Sequence, residues 1–164
     1  NLVFVIGKTE GHIDQSLFAR NILDEKNGPP PEVNLFNEKN NGETLLKLIE
    51  NGFIKSAHDV SLGGIITAIS KMCIKGNKGI NLKMSKNLIN EIEYFFAEDQ
   101  GRYLIEIDQK DQKKVADILN KNAVHFDELG TINEDQLYIN DKTKVTIDEL
   151  KTSNTSWLIN YMSK

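Results

Sequence analysis

Two short segments hold the residue types that could do chemistry. The first, Ser56-Ala57-His58-Asp59-Val60-Ser61-Leu62-Gly63-Gly64-Ile65, joins an apolar run to a helical stretch through a polar, glycine-rich turn. N–H groups left free at a helix N-terminus carry partial positive charge, and glycines without Cβ let a phosphate come close, so such a turn suits an anion. A plainer reading stands beside it: Ser61 acts as N-cap to the N–H of Gly63 or Gly64, and the paired glycines allow close packing against a neighbouring strand. The second segment, Glu98-Asp99-Gln100-Gly101-Arg102, sets two carboxylates and an amide just ahead of a buried-looking strand. These groups can hydrogen-bond ribose hydroxyls or amides and could assist a Mg²⁺ site, while Arg102 adds a planar fork for carboxylate or phosphate. The bland counterpart is a surface turn in which Glu98 or Asp99 pairs with Arg102, worth roughly 0–1 kcal/mol. Neither segment completes a catalytic set, since no nucleophile stands beside a base and no Walker-type phosphate loop is present.

Composition narrows the partners. A chain of 164 residues is in the one-domain range and can bury a core without disulfides or metal staples. Its formal charge of −4, with lysines scattered along the chain, argues against a surface built for nucleic acid. No apolar run approaches a membrane span. Cys73 is the single cysteine, which excludes an internal disulfide and fits a reducing cytoplasm. It falls in an apolar helical stretch with no adjoining basic cluster, the setting of a buried inert thiol. His12, His58 and His125 lack the spacing of a metal pair on one helix, so no dedicated metal site is expected.

The elements that must position these segments follow from periodicity. Leu2-Val3-Phe4-Val5-Ile6 has buried-strand composition and ends at Gly7. Opening within a residue of a core strand, without an initiator methionine, suggests a domain excised from a longer polypeptide. Leu17, Phe18, Ile22 and Leu23 form a short amphipathic patch ahead of the breaker Asn27-Gly28-Pro29-Pro30-Pro31. Helical periodicity runs from about 33 to 52, weakened by Asn40, Asn41 and Gly42, with Gly52 where a left-handed end residue belongs. A short strand through Ile54 leads into the His58 turn, and the helix beyond puts Ile65, Ala68, Ile69 and Met72 on one face. Further strands are expected at 80–84, 103–107, 124–132, 137–139 and 144–147, with a helix near 112–120. Thr146-x-x-Glu149 is a capping box for a last helix, whose Leu150, Trp157, Leu158 and Tyr161 are expected to pack inward. Interleaved helices and strands predict a layered α/β domain with a mixed sheet, spanning 1–164 as one unit.

The order of the segments carries a resemblance. Gly28-Pro29-Pro30-Pro31, then His58-Asp59-Val60-Ser61-Leu62-Gly63-Gly64, then Phe95-Phe96-Ala97-Glu98-Asp99-Gln100-Gly101-Arg102-Tyr103, and finally Leu129-Gly130-Thr131 and the Trp157 tail stand in one sequence. Over nearly its whole length the chain resembles the last domain of the small bacterial phosphoribosylformylglycinamidine synthase subunit II family, within the aminoimidazole ribonucleotide synthetase superfamily. A less fitting match is the corresponding domain of selenophosphate synthetases or hydrogenase maturation factors. The Gly-Pro-Pro-Pro segment and the Glu-Asp-Gln-Gly-Arg-Tyr run argue against those.

The resemblance implies an α/β C-terminal domain paired with ATP-binding domains, the pair occurring twice along one polypeptide. It implies an enzyme that uses ATP and Mg²⁺ to phosphorylate the amide oxygen of formylglycinamide ribonucleotide, which ammonia then attacks. Partners would be the remaining domains, a glutamine amidotransferase subunit and a small assembly subunit, with no cofactor expected on this domain itself and no activity alone. In the enzyme's second unit the equivalent of Glu98, Asp99 and Gln100 is a Glu-Ser-Gln motif that contacts substrate, so these three are the candidate substrate-binding residues, with Asp99 departing from the serine. Asp59, Ser61, Gly63 and Gly64 keep the family's His-Asp-Val-Ser-Asp-Gly-Gly turn, in which Leu62 replaces the second aspartate. They are expected at a domain interface or the phosphate end of a cleft. The alternative is a non-catalytic packing module.

Overall fold

A computed structural model describes residues 1–84 and 90–163. The first strand, β1 (Leu2–Ile6), is buried along its whole length because it is covered on both faces. Val3 and Val5 point into one apolar layer, and Leu2, Phe4 and Ile6 into the other. This is the strand alternation expected of a three-layer α/β/α arrangement.

Around β1, the described residues form a seven-stranded mixed sheet in the order β2-β4-β1-β5-β3-β6-β7. Its further strands are β2 (Ile54–Val60), β3 (Gly79–Leu82), β4 (Arg102–Ile107), β5 (Phe126–Asn133), β6 (Gln136–Ile139) and β7 (Thr143–Thr146). Every pairing is antiparallel except β3 with β6. The expected α/β mixed-sheet class is therefore the observed one. β2 is longer than its sequence suggests: His58 and Asp59 lie within the strand, opposite Leu104 and Tyr103, and not in the turn.

The helices α3 (Gly64–Gly76) and α4 (Glu91–Phe96) cover the face carrying Val3 and Val5, with Ile65, Ala68, Ile69 and Cys73 buried as the periodicity requires. On the opposite face lie α2 (Leu35–Glu50) and α5 (Gln112–Lys121), anchored by Leu45, Leu48, Val115 and Leu119. A one-turn helix, α1 (Leu17–Asn21), precedes α2 and is N-capped by Ser16. α2 runs unbroken through Asn40, Asn41 and Gly42, because the buried Asn41 amide donates to the Gly101 carbonyl at 2.9 Å. That bond replaces the apolar contact the periodicity lacks.

α6 (Ile147–Met162) begins at the expected capping box, but its second half departs from expectation. Ile147 is buried and Leu150 partly so, whereas Trp157 is 66% exposed and Leu158 and Tyr161 are similarly open. Trp157 stacks on Tyr161, 5.4 Å between ring centroids, and not on the core. The apolar residues of this half are spread round the helix, so no single stripe faces the sheet.

Candidate functional site

The turn between α4 and β4 is built as an organising hub. Glu98 Oε1 accepts the N–H of Leu17 at 2.7 Å and the N–H of Gly63 at 2.8 Å, so one carboxylate oxygen holds the starts of α1 and α3 together. Helix N-termini leave N–H groups unpaired and favour negative charge, so a carboxylate is the chemically apt partner. Asp99 faces the other way. Its Oδ2 accepts from the backbone of Glu10 (3.0 Å) and Gly11 (3.1 Å), and Oδ1 from His12 (3.1 Å). This carboxylate sits in a cradle of successive N–H groups, the geometry that otherwise binds a free anion.

Arg102, expected in a surface pair, is only 1% exposed. Its Nε donates to the Asp99 carbonyl (3.2 Å), one terminal nitrogen to Ala97 O (2.7 Å) and the other to Thr9 Oγ1 (3.1 Å), the last also 3.7 Å from Asp99 Oδ2. Burial pulls the guanidinium's pKa down, against the opposing pull of Asp99, Tyr94 and Glu98. A buried guanidinium persists because its five donors find fixed acceptors. The surface-pair reading is thus corrected: the fork ties β4 to the 97–99 turn and the loop after β1.

Two glycines make these approaches possible. At Gly7 (φ +92°) a Cβ would lie 2.7 Å from Gly101 O, and at Gly64 (φ +68°) one would lie 2.6 Å from Ala97 O and 2.7 Å from Phe95 O. Gly64 therefore packs on the end of α4, and Gly63 against Thr67 of its own helix, neither on a strand. Ser61 does not cap α3 with its side chain. Gly63, in the left-handed region, occupies the N-cap position, and only the Ser61 carbonyl engages Gly64 N–H, at 3.0 Å.

A cleft of about 800 Å³ lies beside the hub, walled by the loop Lys8–His12, the start of α2, and Asp99, Gln100 and Gly101. Asp99 and Gln100 line it, and the exposed Gln100 amide reaches only the Glu98 carbonyl, at 3.4 Å. Glu98 joins the hub to Gly63 but is not among the walls, nor are Asp59, Ser61, Gly63 and Gly64. Asp59 and Ser61 are exposed, and Asp59 lies 3.3 Å from His58 Nδ1. The Tyr103 phenol is pushed up in pKa by burial first, then by Glu38 and Asp59.

Sequence reading missed the cleft's other polar residues, among them Lys8, His12, Asn34, Asn37 and Asn41 and the carboxylates Glu10, Glu32 and Glu38. Asn34, Asn37 and Asn41 are spaced three and four apart and so share one helix face, a pattern that could have marked them. His12 ties the loop to the proline segment through a 3.0 Å contact between Nε2 and Pro29 O. For Mg²⁺ the two carboxylates do not fit as built: both Asp99 oxygens and Oε1 of Glu98 are turned to backbone N–H groups, and Asp99 also to Arg102. Among the described residues no cluster of three or more His, Cys, Asp or Glu could hold a metal ion. Cys73 lies apart from the hub, its thiol pushed up to about 11 by burial.

Comparison with known proteins bears on the fold and the family. The chain is 71% identical over 162 residues to the phosphoribosylformylglycinamidine synthase subunit PurL of Pelagibacter ubique, covering 99% of this chain and 22% of that protein. It is 36% identical, with the same coverage, to the PurL subunit of Bartonella bacilliformis. It thus spans about a fifth of the length of these relatives. Among solved structures, T. maritima PurL complexed with FGAR superposes with a TM-score of 0.75 at 21% identity, over 91% of this chain and 27% of that one. T. maritima PurL complexed with ATP gives 0.68 at 18% identity, over 91% of this chain and 25% of that one. At those identities the likeness is one of fold. The model of the family "AIR synthase related protein, C-terminal domain" matches residues 1–142, and to that family the chain belongs.

Proposed function

We propose that the chain is the C-terminal domain, residues 1–164, of a phosphoribosylformylglycinamidine synthase subunit II. The whole enzyme would convert formylglycinamide ribonucleotide to formylglycinamidine ribonucleotide with ATP and Mg²⁺ in purine biosynthesis, in the cytoplasm. The observation that carries this is the 71% identity to the Pelagibacter PurL subunit across 99% of the chain. In keeping with it, among the described residues no helix is long and apolar enough to cross a membrane.

In this reading the domain supplies one wall of a ribonucleotide cleft and no cofactor ligands, and is inactive alone. Gln100, the member of the trio with its amide exposed, would contact substrate, beside Asp99 in the wall, while Glu98 fixes the wall's position. The exposed Asp59-Ser61 end of the Gly63-Gly64 turn would meet the other domains or the phosphate end of the cleft. Nucleotide and Mg²⁺ ligands would sit on those other domains, and ammonia would come from a glutamine amidotransferase subunit held with a small assembly subunit.

A second reading, a packing module without substrate contact, is favoured by one observation: both oxygens of Asp99 and Oε1 of Glu98 are engaged within the chain. Assaying ATP- and ammonia-dependent amidine formation separates the readings. The 164-residue chain should show no turnover, and substantial turnover would overturn the proposal. In the full-length enzyme Gln100→Ala should raise the substrate KM with stability unchanged. An unchanged KM, with Glu98→Ala lowering stability alone, would hand the site to the packing reading.

A further inference from the structure

On the Val3 side of the sheet, away from the hub, a cavity of about 540 Å³ opens between the C-terminal half of α3 and the strands beneath it. Its size is within the roughly 300–1,000 Å³ of small-molecule pockets, which are mostly apolar with a few placed polar groups. Val3, Ile69, Met72 and Ile132 supply apolar wall. One carboxylate stands in it: Glu106 of β4, whose Oε1 accepts from Asn1 Nδ2 at 2.6 Å and Oε2 from Ser56 Oγ at 2.7 Å.

Lys71, Lys75 and Lys78 also border the cavity. Spaced four and three apart, they form one stripe along the end of α3 and the turn after it. Lys8, Lys55, Lys110, Lys114, Lys142 and Lys151 each stand beside a carboxylate. Lys71, Lys75 and Lys78 join no ion pair among the described residues. Three exposed cations thus gather at the mouth of one cavity without a salt-bridge partner among the described residues.

We propose that this cavity binds a small amphipathic monoanion, an apolar chain or ring carrying one carboxylate, seated tail inward with its head at Lys71, Lys75 and Lys78. The polarity of the seat sets the direction. An anion entering head first would meet the Glu106 carboxylate, whereas the exposed lysine stripe offers the head three positive charges at the mouth. A cation is disfavoured twice, by the lysines it must pass and by donors already on both Glu106 oxygens. The site is separate from the Gln100 cleft and does not depend on the function proposed for it.

Titration calorimetry with octanoate, octylammonium and inorganic phosphate tests this on the 164-residue chain, with circular dichroism confirming the fold. Octanoate should bind saturably at one site, at least tenfold more tightly than octylammonium, and phosphate should not displace it. Replacing all three lysines with glutamine, exposed changes that should leave Tm unaltered, should weaken octanoate at least tenfold. Methyl NMR should show octanoate shifting Ile69 and Ile132. Absence of saturable binding, equal binding of octylammonium, displacement by phosphate, an unaffected triple variant or shifts confined to the lysines would each overturn the proposal.

Discussion

Glu98 caps the helix that begins after Gly63 from 35 residues away, its Oε1 accepting the Gly63 N–H at 2.8 Å. The same oxygen holds Leu17 N–H at 2.7 Å, so one side chain anchors two helix starts and the turn that bears Gln100. Glu98→Ala leaves both donors without their acceptor and should cost about 2–4 kcal/mol, since hydrogen bonds to charged groups contribute about 1.5–3 kcal/mol each and the two share one oxygen. Glu98→Gln keeps an acceptor and should cost about 1 kcal/mol. Urea denaturation measures both, and equal costs for the two variants would remove the capping role.

Arg102 should tolerate neither loss nor replacement by lysine. Arg102→Leu leaves the Ala97 carbonyl without its donor and the buried Asp99 carboxylate without its cation, and breaking such a pair costs about 3–5 kcal/mol. Arg102→Lys keeps the charge but not the planar fork that spans Thr9, Ala97 and Asp99. It should recover less than half of that loss. A lysine variant within about 0.5 kcal/mol of the parent, the range of ordinary surface changes, would contradict the geometry.

Two glycines of α3 should respond oppositely to alanine. At Gly64 the Cβ would meet Ala97 O at 2.6 Å in a left-handed backbone, so Gly64→Ala should cost about 2–5 kcal/mol from strain and overpacking together. At Gly76 nothing lies within 4 Å of the added carbon and the backbone is helical, so Gly76→Ala should stabilise by about 0.4–1 kcal/mol. Thermal midpoints of the pair decide it, and a shift of the same sign at both positions would count against the packing of α3 on α4.

Acid should loosen the start of α6 before the core. Glu149 is held below its ordinary value of 4.5, first by the backbone N–H of Thr146 and then by its hydroxyl. A lowered folded-state pKa means that the contribution is fully present above the unfolded value and fades as pH falls through the folded one. Side-chain NMR of Glu149 should therefore titrate below 4.5 in the parent and nearer 4.5 in Thr146→Ala. Identical titrations in the two proteins would remove the Thr146 hydroxyl as a cause and leave the backbone N–H alone.

Trp157 provides the reverse of a core aromatic. A buried tryptophan cut to alanine costs about 3–5 kcal/mol, but this ring is 66% exposed and touches Tyr161 on its own helix. Trp157→Ala in the 164-residue chain should shift stability by less than about 0.5 kcal/mol. A larger loss in denaturant titrations would put the ring against the core after all.

Legibility varied with how local each signal was. β1, α3 and the Thr146–Glu149 box are written in neighbouring residues, and each formed where its pattern predicted. α4 escaped because six residues carry too little periodicity, although Asn90 and Glu93 form a capping box at its start. The Ser61 cap failed because Glu98, distant in sequence, supplied a charged acceptor to the same turn. Asn41 read as a weakness in α2, and its partner, Gly101 O, lies 60 residues away.

By itself the sequence determined the fold class, the apolar face of α3, the inert burial of Cys73 and the family, because periodicity and motif order act between near neighbours in the chain. The tertiary structure alone decided what Glu98, Asp99 and Arg102 hold, which residues wall the Gln100 cleft, and that Trp157 stands in the open. Carboxylates and guanidinium take whichever complementary groups folding brings within about 3 Å, and that choice is made between segments up to 93 residues apart, beyond the reach of any local pattern.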